Sequence, residues 1–146
     1  MIVRILIPLL VLLSSVISSA QEKIDWKQLA DVRFEDKYYE EVDAYLYYPT
    51  FGESVRAMEG KEVYIQGFIF PFEGADPFFI LSQNPYSSCF FCGAAGPESV
   101  VELWPAEGFP RFNMDDIVTI KGTLKLNSDD IDYCNYILEN AKVHRP

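Results

Sequence analysis

Cys89 and Cys92 stand two residues apart in the stretch Cys89-Phe90-Phe91-Cys92-Gly93. A tight turn at this spacing brings both sulfurs within reach of one tetrahedral ion, so the pair can chelate zinc or a similar metal. Gly93, directly after the second cysteine, supports such a turn because glycine takes positive φ without steric cost. One Cys-x-x-Cys supplies only half of a tetrahedral site. Cys134 is the only other thiol and His144 the only imidazole. On one extended strand those two would lie about 33 Å apart, at about 3.3 Å per residue, too far to share an ion. The expected metal set is therefore Cys89 and Cys92, with Cys134 as a candidate third ligand and a carboxylate such as Asp132 or Glu98 completing an open site.

Two other chemistries use the same spacing. Dithiol oxidoreductases carry Cys-x-x-Cys, but they open a helix at the first cysteine to lower its pKa. Gly93, Gly96 and Pro97 would break that helix at once. A static disulfide between Cys89 and Cys92 would instead pin the loop and leave Cys134 as a small buried hydrophobe. No Ser-His-Asp arrangement is credible with a single histidine two residues from the C-terminus, and no glycine-rich phosphate loop occurs. Asp129, Asp130 and Asp132 lack the glycine and the distant glutamate of a calcium loop and read as a solvated turn. The sequence leans away from an enzyme.

The elements that must position these residues are strands. Trp26, Leu29 and Ala30 fall at helical spacing and predict one short helical turn. Val32 and Phe34, then Val42, Ala44, Leu46 and Tyr48, alternate with polar residues and predict a strand pair ending at Pro49. From Lys61 the alternation strengthens. Val63, Ile65 and residues 68–70 predict a strand interrupted by Gly67, as a bulge or tight bend, and stopped by Pro71. Further strands are expected over 78–81, 99–104, 117–126 and 136–143. Five short strands with uneven connections suit an all-β, five-stranded OB-like barrel over residues 61–146. Residues 21–60 would then form an N-terminal extension, a short helix and strands, packing on that barrel. A sandwich of two small sheets is the alternative.

The motif Trp26-x-x-Leu29, the run Met58-Glu59-Gly60-Lys61-Glu62-Val63-Tyr64-Ile65-Gln66-Gly67-Phe68-Ile69-Phe70-Pro71, then Phe79-Ile80-Leu81 and Cys89, resembles a bacterial domain-of-unknown-function family. The resemblance covers residues 25–144. It implies a small exported OB-like protein, some members of the family being encoded near ABC-type transporter systems linked to zinc supply. Many members carry a Cys-x-His at the position of Cys89. Here Phe91 stands in place of the histidine and Cys92 is additional, so a ligand role for that histidine does not transfer.

Composition bounds the partners. The 146 residues hold 12 Lys and Arg against 22 Asp and Glu, a net charge of -10. Residues 1–20 combine Arg4, an apolar run over 5–17 and the small ending Ser18-Ser19-Ala20, the layout of a signal peptide cleaved near Ala20. The apolar run is shorter than the about 20 residues of a spanning helix, so no permanent membrane span is expected. Export to the periplasm or beyond follows. An acidic surface with scattered Lys and Arg repels phosphate backbones, which excludes nucleic acid as the main partner. An envelope protein or a transporter component is the expected partner, met through the Cys89–Cys92 loop with its zinc or through an aromatic face.

Overall fold

The computed structural model describes residues 21–74 and 77–145; the Cys92 side chain and the expected signal peptide, residues 1–20, lie outside the described residues. In chain order come β1 (Glu22–Lys23), the helical turn α1 (Trp26–Leu29), β2 (Val32–Tyr39), β3 (Ala44–Phe51), a second turn α2 (Glu53–Arg56), β4 (Glu62–Phe72), β5 (Phe78–Ser82), β6 (Val100–Pro105), β7 (Asp116–Leu126) and β8 (Tyr136–Val143). A capping box starts α1. The Asp25 carboxylate accepts the Gln28 N–H at 2.8 Å, and the Gln28 side-chain oxygen accepts the Asp25 N–H at 2.8 Å.

Five strands close on themselves in the order β4-β5-β6-β8-β7, with β7 returning to pair with β4. β6 and β8 run parallel, and the other barrel pairs are antiparallel. This closure is the OB-type barrel that the alternation predicts, and it excludes the sandwich. Period-2 alternation turns Val63, Ile65, Val101, Leu103, Ile120 and Leu138 inward, where all six share one buried cluster. Ile24, Leu29, Val55 and Met58 from the N-terminal segment complete that cluster. The buried Tyr136 hydroxyl donates to the Leu29 carbonyl at 2.6 Å, tying α1 to β8.

Three expectations about strand punctuation are corrected. β4 does not stop at Pro71 but runs through it to Phe72, with Pro71 opposite Phe79 of β5. Pairing of β4 with β7 ends at Ile69, so one flank of Pro71 is an open edge where no N–H is required. The strand pair likewise continues through Pro49 to Phe51, because a two-stranded ribbon consists only of edges. Of the bulge or tight bend expected at Gly67, the bulge is absent: the β4–β7 register is unbroken from Glu62↔Thr123 to Ile69↔Asp116. The close approach of the neighbouring strand is what leaves no room for a side chain there. A Cβ on Gly67 would lie 2.6 Å from the Ser82 carbonyl oxygen, 2.9 Å from Trp26 Cζ2 and 3.0 Å from Leu81 Cγ.

The β2–β3 ribbon forms a sheet separate from the barrel. Asp31 fixes its base. The Asp31 carbonyl accepts the Gly52 N–H at 2.7 Å, and its carboxylate accepts the Ser54 N–H at 3.1 Å and the Ser54 hydroxyl. The hydroxyl bond is the main reason that the Asp31 pKa lies below the ordinary carboxylate value.

Candidate functional site: a groove on the outer barrel face

Alternation along β5 and β6 sends Phe79, Leu81, Val101 and Leu103 toward the interior and leaves Phe78, Ile80, Val100, Glu102 and Trp104 on the outer face. A groove of about 790 Å³ lies over that face. Phe90, Phe91 and Pro77 line it from the loops around β5, and Ile131, Asp132 and Tyr133 from the segment before β8. Tyr39, Leu46 and Tyr47 of the ribbon contribute a further wall. In OB barrels the second and third strands, with the loops joining strands 1–2 and 4–5, form the ligand face. β5, β6, the loop before Phe78 and residues 127–135 are their counterparts here.

One asparagine shapes the 127–135 wall. Asn127 Nδ2 donates to the carbonyls of Asp130 at 2.7 Å, Tyr133 at 3.2 Å and Cys134 at 3.2 Å, while its Oδ1 accepts the Asp130 N–H at 3.1 Å. The aspartates singled out in the sequence are therefore part of a turn organised by its own side-chain and backbone bonds. Asp130 and Asp132 both line the groove.

Glu102 is the residue that sequence reasoning missed. Strand parity places it on the outer face, yet it is only 8% exposed. Its Oε1 accepts the Trp104 indole N–H at 3.0 Å and its Oε2 accepts the Cys134 backbone N–H at 3.0 Å. The local signal was a carboxylate and a tryptophan two residues apart on one face of a strand. The segment that buries it lies some thirty residues further along the chain and left no mark near Glu102.

The cysteine loop packs beside this floor. Gly93 adopts the left-handed conformation, φ 73°, directly after the short 3-10 turn Phe90–Cys92, as the spacing predicts. Cys89 is fully buried with Phe70, Ile80 and Val100, and Phe68, Phe72, Phe90 and Cys134 pack on the same cluster. Among the described residues Cys89 and Cys134 are free thiols, and no three His, Cys, Asp or Glu side chains converge as a metal site. Burial, then the Glu102 charge, pushes the Cys134 thiol up to about 12. His144 lies apart from the cysteines. It is half-buried, stacked on Tyr64 with ring centroids 4.0 Å apart, and not a solvated terminal side chain.

A second cavity, of about 410 Å³, has the opposite character, with Lys121, Lys142 and Arg145 among its lining and Glu107 as its acidic member. Among the described residues no helix is long and apolar enough to cross a membrane.

No family model matches the chain, and no curated protein matches it. Among solved structures the chain is similar to the crystal structure of a DUF3299 family protein from Pseudomonas aeruginosa PAO1. The two are 16% identical, with 87% of this chain and 98% of that one covered and a TM-score of 0.52. At this identity the likeness is one of fold.

Proposed function

We propose that this chain is an exported recognition module without catalytic activity, which holds an extended segment of an envelope protein in the groove over β5 and β6. The observation that carries this reading is the groove itself, an aromatic and apolar surface left open on the ligand face of an OB-type barrel. Tyr47, Phe78, Phe91, Ile131 and Tyr133 line it and remain exposed, a cluster of large apolar side chains that a partner would bury. The ribbon supplies what a peptide needs besides pockets. β2 and β3 pair only with each other among the described residues, so each offers an unpaired edge beside the groove for an added strand.

Two further features fit this role. A signal peptide cleaved near Ala20 would place the module in the periplasm, where a transporter component of the kind implied by the family resemblance is one form that the partner would take. Zinc on the Cys89–Cys92 loop has less support, since coordination through Cys89 would have to draw its sulfur out of an apolar cluster.

Selection of peptides from a random display library against the immobilised protein tests the reading. Retained peptides should share a pattern and should bind Tyr47→Ser and Phe91→Ser at least about tenfold more weakly, as hot-spot aromatics require. Ile117→Ser, an exposed apolar position outside the groove, should bind as the parent does. Retention that ignores the groove substitutions would refute the proposal.

A further inference from the structure

We infer that the segment held in the groove carries an arginine, and that its guanidinium pairs with Glu102. This rests on the peptide-groove reading above and adds the chemistry of its central contact. Among the described residues three carboxylates, Glu102, Asp130 and Asp132, line the groove, and no Lys, Arg or His does. The ion pairs among the described residues are Lys61–Glu22 at 3.8 Å and Lys125–Glu139 at 3.7 Å, so Glu102 has no cationic partner among them. A carboxylate removed from water without a counter-charge is costly, and a ligand that brings the charge recovers that cost on binding.

The hydrogen bonds choose between the two cationic side chains. Each Glu102 oxygen accepts one bond, from the Trp104 indole on Oε1 and the Cys134 amide on Oε2. A carboxylate oxygen has two lone pairs, so one acceptor position is left on each. Two acceptor positions on adjacent oxygens match the planar two-pronged donor set of a guanidinium, whereas an ammonium is a point charge without that geometry. Aromatic rings flank the position. Trp104 and Tyr133 meet edge to face with centroids 5.4 Å apart, and both line the groove. The Lys125 ammonium, 4.4 Å from the Trp104 ring centroid, already uses one approach to that ring but pairs with Glu139 and not with Glu102. The arginine side chain therefore gains its charge contact from Glu102 and its flat contact from Tyr133, with Asp130 and Asp132 adding attraction that salt screens.

The test is a two-dimensional NMR titration of the ¹⁵N-labelled protein with acetyl-Tyr-Arg-Tyr-amide and with the same tripeptide carrying citrulline, a neutral isostere, in place of arginine. The arginine peptide should shift the Cys134 amide and the Trp104 indole resonances and bind at least about tenfold more tightly than the citrulline peptide. Glu102→Gln should erase that preference, and raised salt should narrow it. Equal binding of the two peptides at groove residues would overturn the arginine assignment and leave the groove reading intact. Failure of both to shift any groove resonance at millimolar concentration would overturn both. Should Glu102→Gln fail to fold, the comparison of the two peptides on the parent protein decides alone.

Discussion

The Cys134 thiol belongs to the segment that covers the Glu102 carboxylate, and the nearby charge adds to burial in setting the chemistry of the thiol. Burial and the neighbouring charge raise the thiol pKa to about 12, so at neutral pH the sulfur is a protonated, inert side chain. Alkylation of Cys134 by iodoacetamide, followed by mass analysis of its peptide, should therefore rise about tenfold per pH unit from pH 7 to 10 with no plateau. A plateau near pH 9 would mean a thiol of ordinary acidity and a more open segment than described. The linkage has a definite sign. An unfolded thiol ionises near the ordinary value, about 8.5, while the folded one holds its proton, so this contribution to stability is complete below that value and is lost as pH climbs toward 12. At this scale the sequence made part of the site legible. Gly93 after Cys-x-x-Cys announced its left-handed turn, because only glycine takes that conformation cheaply. The burial of Cys89 was not legible, since it depends on the loop folding back against Phe70 and Val100, residues of two other strands. Glu102 was hidden for the same reason.

Strands were the most legible elements. Alternation from Val63 to Leu138 marked the barrel interior because one face of each strand must be buried, and the pairing Leu124↔Leu138 sets both leucines in the same core despite a register shift between Lys121 and Thr123. Prolines misled where edges were concerned. Pro49 and Pro71 read as stops, yet both lie within strands, since a sequence does not reveal which flank of a strand will lack a neighbour. At Gly67 neighbouring elements approach too closely to admit a side chain. The Trp26 indole N–H donates to the Gln66 carbonyl at 2.8 Å and holds the ring over the glycine, with the Ser82 carbonyl on the other strand. Since the nearest obstacle is backbone, it cannot swing aside. Gly67→Val should destabilise the protein by about 1–3 kcal/mol in urea unfolding, the usual cost of overpacking. A neutral result would mean that β4 and β5 can separate locally, and the β5 floor of the groove would then be softer than its burial indicates.

As a whole, the molecule is an acidic OB-type barrel with a ribbon beside the outer face of β5 and β6, and among the described residues one cavity carries acidic and another basic side chains. The net charge of -10 does not fall evenly, for the larger cavity is lined by carboxylates and aromatics and the smaller one by Lys121, Lys142 and Arg145. Composition made the exclusion of nucleic acid legible as an expectation, and the alternating strands made the barrel so. The groove was not, because its walls come from the ribbon, the cysteine loop and residues 127–135, which meet only in three dimensions. The central claim is that this groove, and no other surface, is where a partner segment sits. Mapping the amide shifts of the ¹⁵N-labelled protein on adding the tightest peptide from a random library tests it most directly. The account predicts shifts confined to residues 78–82, 90–91, 100–105 and 128–135 together with Tyr39, Leu46 and Tyr47 of the ribbon. Shifts centred instead on residues 106–110, Lys121 and Lys142, or around Ile117 on β7, would contradict it.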